Sequence, residues 1–142
     1  MIEIPPENQI FLVKADFVSG TSYKEIHKNA QTIFYQIKCR TKRKPYIRSA
    51  FFKKEKVFFE YFWIHLYQKN RGLRFQRLKY FSAAIELMKK SRNKPEIVLN
   101  PTNKNEKLYR FFGKVKTGEI FIVQIKENLS SGNKYFMSVF PK

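Results

Sequence analysis

Apolar residues recur along the chain in two different periods, and the change from one to the other divides it. Between Ser22 and Cys39 the apolar positions Ile26, Ala30, Ile33, Phe34 and Ile37 keep helical spacing. Ser22 and Glu25 stand three apart at the head of that stripe, the arrangement of a capping box, so a helix is predicted from about Ser22 to Cys39. Ile10–Val13 is a short apolar run that reads as a strand, and Ser19, Gly20 and Thr21 break the chain behind it. Tyr46–Phe52 reads as a strand followed by a polar turn at Lys53–Lys56. Val57–Tyr67 carries aromatics on every side, which suits a strand that passes into a helix.

From Leu73 to Arg92 a single amphipathic helix is predicted, with Leu78, Phe81, Ala84, Ile85 and Met88 on one stripe and Arg74, Arg77 and Lys90 off it. Glu86 and Lys90 have the spacing of a favourable helical pair. Asn93–Asn105, with Pro95 and Pro101, reads as a loop. The last third alternates with the period of strands and predicts an antiparallel meander: Leu108–Val115, Glu119–Glu127 and Lys134–Phe140. Lys116, Thr117 and Gly118 suit a three-residue hairpin loop. The expected fold class is α+β, one domain over residues 1–142, with a helical, basic part (1–92) packed on an antiparallel sheet (106–142).

Counting back along the predicted ladders sets Arg110 opposite Gln124, Lys126 opposite Lys134 and Ile122 opposite Ser138. Arg110, Gln124, Lys126, Lys134 and Ser138 then share a polar face. Tyr109, Phe111, Val123, Ile125, Tyr135, Met137 and Val139 form the core face. Two lysines facing each other repel, and a phosphate between them would relieve the repulsion.

Charge sharpens this picture. Twenty-nine Lys and Arg against eleven Asp and Glu give a net charge of +18, well beyond the magnitude of about 2 to 8 that serves solubility in a small domain. A polyanion partner follows, and nucleic acid is the leading candidate. The charge is patchy: residues 38–56 carry nine basic residues against Glu55 alone, and residues 69–94 carry nine against Glu86 alone. Lys42, Arg43, Lys44, Tyr46 and Arg48 from the first segment, and Lys69, Arg71, Arg74 and Arg77 from the second, are expected to contact nucleic acid together with Gln124, with Tyr46 stacking a base. Neither an apolar span nor a lipidation or secretion signal is present in the sequence, so no membrane partner and a cytoplasmic location are expected. One cysteine, Cys39, and two histidines, His27 and His65, offer no ligand set of metal-site spacing, and neither metal nor cofactor is expected. His27 lies at the margin of the first helical stripe and is read as structural. His65 lies among aromatics and cations, and its unperturbed pKa of about 6.5 suits a general acid or base.

The succession WIHLYQK, RFQRLKYFSAAIELMKKSRNKP, LYRFFGKVKTGEIFIVQIKE and NKYFMSVFPK, over roughly residues 46–142, resembles the phage and mobile-element nucleases of the barnase, EndoU, colicin D and RelE-like superfamily. That resemblance implies a toxin-like, metal-independent RNA endonuclease in which the ribose 2′-OH attacks the adjacent phosphate. Its expected catalytic set is His65 as acid or base, Arg110, Lys126 and Lys134 as cationic clamp, and Ser138 as a donor to phosphate. With His65 buried, the base would be a lysine whose pKa neighbouring cations lower. Expected partners are RNA, structured RNA such as tRNA included, and an acidic inhibitor protein. A non-catalytic nucleic-acid-binding module is the alternative, and a basic face docked to an acidic protein the third reading.

Overall fold

The computed structural model describes residues 2–142. Four helices and seven strands alternate in the order β1 (Ile10–Leu12), α1 (Tyr23–Cys39), β2 (Tyr46–Ser49), β3 (Glu55–Phe58), α2 (Glu60–Tyr67), α3 (Arg71–Lys79), α4 (Phe81–Lys90), β4 (Glu96–Leu99), β5 (Glu106–Lys114), β6 (Ile120–Asn128) and β7 (Lys134–Pro141). The class is α+β. The sheet is mixed, however, and draws three strands from the N-terminal part: its order is β1-β5-β6-β7-β3-β2, with β4 also pairing β5. β1 runs parallel to β5 and β3 parallel to β7, while the β5-β6-β7 meander is antiparallel.

Local chemistry explains most boundaries. The Glu25 N–H donates to Ser22 Oγ over 3.2 Å, which caps α1 where the spacing predicts it. Val57–Tyr67 resolves as the end of β3 followed by α2, with Phe59 fully buried at the junction. The stretch expected as one helix over Leu73–Arg92 is two, because Tyr80 leaves helical geometry at φ −94° and ψ 7°. The Lys79 carbonyl accepts from the Val18 N–H at 3.0 Å, and the bend lets Leu78, Tyr80 and Phe81 all be buried, which one straight stripe cannot do. Glu86 does not pair with Lys90; its carboxylate accepts the backbone N–H groups of Lys14 and Ala15 at 2.8 and 2.9 Å, tying the end of β1 to α4. The expected loop at Asn93–Asn105 holds β4, whose side chains are exposed on both faces and therefore lack a period-2 signal.

The helices cover one face of the sheet. Phe62 of α2 stacks on Phe136 of β7 with ring centroids 4.5 Å apart and planes 8° from parallel. Ile26, Ala30, Leu66, Leu87 and Met88 complete the helical side against Phe111, Val123, Ile125 and Val139. Among the described residues no helix is long and apolar enough to cross a membrane. His27 shares a 2.8 Å hydrogen bond with the Tyr67 hydroxyl, which ties α1 to α2, consistent with a structural role.

Two measurements test this packing. A Cβ on Gly113 would lie 2.3 Å from Phe121 Cζ and 2.8 Å from Leu87 Cδ1, so Gly113→Ala overpacks the contact between α4 and β5. It is expected to cost about 2 kcal/mol in denaturant unfolding. Burial, and secondly the charge of Arg74, lower the His27 pKa from its ordinary 6.5. The unfolded chain therefore takes up a proton there before the folded one does. The stability linked to His27 is complete above pH 6.5 and is lost as pH falls through the lowered folded value. The denaturation midpoint is expected to fall with acidification, less steeply in His27→Gln than in the native chain.

Candidate nucleic-acid interface

The hairpin between β5 and β6 closes as the sequence predicts, with the Val115 N–H donating to the Glu119 carbonyl at 3.0 Å and Gly118 at φ +102°. Its ladder sets Arg110 opposite Gln124, and the next ladder sets Gln124 opposite Ser138. Directly opposed residues have Cβ atoms about 5 Å apart, so Arg110, Gln124 and Ser138 form a row across three strands on the face away from α4. One row along lie Leu108, Lys126 and Tyr135; on the other side lie Phe112, Ile122 and Phe140.

The β6-β7 register departs from expectation. Asn128, not Glu127, faces Asn133 across the turn, with a 2.9 Å hydrogen bond, and Lys134 consequently pairs with Glu127 while Tyr135 pairs with Lys126. A bulge in β7 opposite the Gln124–Ile125 step, where Met137 is the extra residue, then places Ser138 opposite Gln124. A one-residue slip reverses every side chain it reaches. Lys134 accordingly points to the helix-covered face, where its ammonium is buried and sits 2.8 Å from Glu55 and 3.6 Å from Glu127. Lys126 and Lys134 do not face each other, and Lys134 leaves the expected catalytic set. Phe136 takes the core position expected of Tyr135 and Met137.

The remaining candidates surround the row. Lys126 Nζ lies 4.4 Å from the Tyr61 ring of α2 and 3.2 Å from Glu106. Arg110 Nη1 lies 4.0 Å from Glu96, and its Nε is buried without a partner. Arg77 of α3 lies 5.2 Å over the Phe140 ring, and its Nε too is buried and unpartnered. Burial lowers the pKa of Arg77, and burial together with the charge of Arg77 lowers that of Lys69. His65 is half-buried, one helical turn beyond Tyr61 with ring centroids 6.5 Å apart.

Arg74 is not free for a ligand. Its Nε and Nη2 donate to the Lys69 and Tyr67 carbonyls, each at 2.7 Å, and so satisfy the C-terminal end of α2. Arg71 is exposed over the Tyr23 ring at 5.4 Å, away from the sheet.

The first basic segment gathers at the β2 edge of the sheet. Lys42, Arg43, Lys44 and Tyr46 line a hollow of about 810 Å³ together with Arg40, Lys56 and Phe58. Arg48 lines a second, of about 600 Å³, which shares Arg40 and Tyr46 and adds Lys54, Lys89, Lys90 and Arg92. Neither hollow is lined by a carboxylate. The charge runs 38–56 and 69–94 announce Arg40, Lys54, Lys56, Lys89, Lys90 and Arg92 as a group, but only the tertiary approach of α4 to β2 brings the two runs together.

Compared with models of protein families, with curated proteins and with solved structures, the chain matches none.

Lys134 is expected to be structural. Replacing it by Met leaves Glu127 shielded without its cation, and because Glu55 is half exposed the loss belongs at the lower end for a broken buried pair, about 3 kcal/mol in denaturant unfolding.

Proposed function

We propose that this chain is an RNA endonuclease that works without a metal, toxin-like in character, with its site on the row Arg110–Gln124–Ser138. The observation that carries the reading is that row itself: a cation, an amide and a hydroxyl on adjacent strands, with Lys126 one row away and Arg77 reaching over from α3. Two arginine Nε atoms there are buried without a partner, and unmade hydrogen bonds of this kind are costly unless a ligand completes them. A phosphodiester offers the acceptors they lack.

In the reaction the ribose 2′-oxygen attacks phosphorus, its proton passes to a base, and the bond from phosphorus to the 5′-oxygen breaks as an acid protonates that oxygen. The products are a 2′,3′-cyclic phosphate and a free 5′-hydroxyl. His65, one helical turn from Tyr61 on α2, would serve as the acid or base. Arg110, Arg77 and Lys126 would hold the charge that builds on the phosphorane, and Ser138 and Gln124 would donate to its non-bridging oxygens. Structured RNA such as tRNA is the substrate class, the cytoplasm the place of action, and an acidic protein the inhibitor that would silence it. The resemblance to barnase-, EndoU-, colicin D- and RelE-like nucleases supports the same reading.

One observation favours binding without cleavage. Glu96 and Glu106 lie beside Arg110 and Lys126, so part of the clamp charge is already answered within the chain.

Incubation of the purified protein with total RNA in excess EDTA, followed by mapping of the new ends, decides between them. Cleavage with 2′,3′-cyclic phosphate ends is expected, reduced about 100-fold by Ser138→Ala or Arg110→Ala and retained by folded Lys134→Met. Tight, steeply salt-dependent binding with intact RNA would leave the binding module standing and remove the enzyme.

A further inference from the structure

The row next to the proposed site does not stop at β7. Register carries it across five strands: Leu108, Lys126, Tyr135, Phe58 and Tyr46 are successive partners through β5, β6, β7, β3 and β2. Three of the five are aromatic, and a fourth ring, Tyr61, leans in from α2. Tyr46 and Phe58 lie 6.1 Å apart, Phe58 and Tyr135 6.0 Å, and Tyr135 and Tyr61 4.7 Å. None of the four is fully buried.

Cations accompany the rings at both ends. Lys56 Nζ stands 4.7 Å and the Arg48 guanidinium carbon 5.4 Å from the Tyr46 ring, and Lys126 Nζ stands 4.4 Å from Tyr61. The hollow of about 810 Å³ opens on Tyr46 and Phe58 and is otherwise walled by Arg40, Lys42, Arg43, Lys44 and Lys56. Lys44 is answered by Glu60 at 3.6 Å, but the self-repulsion of the other four cations around one hollow is a cost the fold would avoid if nothing anionic were to enter. Aromatic rings in a line on a sheet, edged by positive charge, meet both needs of an unpaired strand: faces for bases and cations for its phosphates. A duplex hides the base faces and would use only the charge. An acidic protein would likewise leave the rings without work.

We propose that the Tyr46–Phe58–Tyr135–Tyr61 line is a track for single-stranded RNA, which delivers an unpaired segment to the Arg110–Gln124–Ser138 row. This deepens the endonuclease reading and rests on it for the final step alone. The track runs from the β2 edge, past the basic hollow, to Lys126, one row from Ser138.

The test uses the full chain and 2′-O-methyl RNA, which cannot be cut through its 2′-oxygen, so that binding is read apart from cleavage. Fluorescence anisotropy is measured with an unpaired oligonucleotide, with the same sequence annealed to its complement, and with poly-glutamate. An adenine replaced by 2-aminopurine reports stacking. The unpaired strand is expected to bind at least about ten-fold more tightly than the duplex. Tyr46→Leu and Phe58→Leu are each expected to weaken it about ten-fold and to relieve the quenching of 2-aminopurine, while the salt slope, set by the retained cations, stays unchanged. Tyr46 is on the edge strand and half exposed, so its variant is informative should Phe58→Leu unfold. Equal affinity for duplex or poly-glutamate, or quenching indifferent to Tyr46→Leu, overturns the track. Binding that follows the expected pattern in a protein that leaves total RNA intact removes the nuclease and keeps the track.

Discussion

The pairing of β7 against β6 is the constraint from which the rest of the molecule takes its meaning. The register is locked where Glu127 meets Lys134, because Lys134 sits among Glu55, Glu127 and the Phe52 ring, 5.0 Å away. The Tyr109 hydroxyl donates to Glu127 at 2.6 Å, so that carboxylate is held from two sides; burial and this bond raise the pKa of Tyr109 strongly and keep it a donor. A slip by one residue would carry Phe136 out of the core and take Lys134 to the polar face, opposite Lys126 and away from its carboxylates. Register is therefore fixed by charge and by hydrophobic burial together.

The same charge-pairing logic distributes the rest of the field. Five carboxylates, Glu55, Glu60, Glu96, Glu106 and Glu127, stand against lysines or arginines around β3, α2 and the β4–β6 strands. Glu86 is committed to the backbone of β1. Few acids remain to neutralise residues 38–56 and 89–92, and these meet at the β2 edge, where α4 packs against β2. An unneutralised cationic surface destabilises the compact state. The apolar core beneath it, centred on the Phe59, Phe62, Phe81 and Phe136 rings, supplies the offsetting burial.

Much of this was legible in the residues. The cap at Ser22, the hairpin at Gly118 and the Arg110–Gln124 pairing follow from local chemistry, and local chemistry acts over a few residues. What escaped was set at a distance. Nothing near Tyr80 says that Val18 will claim the Lys79 carbonyl, and nothing in Glu96–Leu99 reveals that β5 has a free edge for it. The Lys126–Lys134 pairing does not form because the five residues between β6 and β7 admit two registers, and the choice between them rests on Glu55, seventy-nine positions from Lys134. An unpaired lysine and a paired one are identical in sequence, so only the fold separates Lys134 as a phosphate ligand from Lys134 as the partner of Glu55 and Glu127. Arg74 was misplaced for a similar reason: only the folded α2–α3 corner offers it two carbonyls.

Tyr135 and Ser138 are an odd number of residues apart on one strand, and in a regular strand they would face opposite ways. The bulge between Gln124 and Ile125 inserts one residue of β7, Met137, and brings them to the same face. Without the bulge, Met137 would stand opposite Gln124 and Ser138 would turn beneath the helices, so that the row would lose its hydroxyl. Bulges cost ladder hydrogen bonds and persist where they re-aim a side chain. Here it brings the Ser138 hydroxyl into line with Gln124 and Arg110, on the same face as the surface built by β2, β3 and α2. The N-terminal elements thus do more than cover the core: β2, β3 and α2 extend the polar face into one continuous strip from Tyr46 to Arg110, and the irregularity in β7 sets the Ser138 hydroxyl within it.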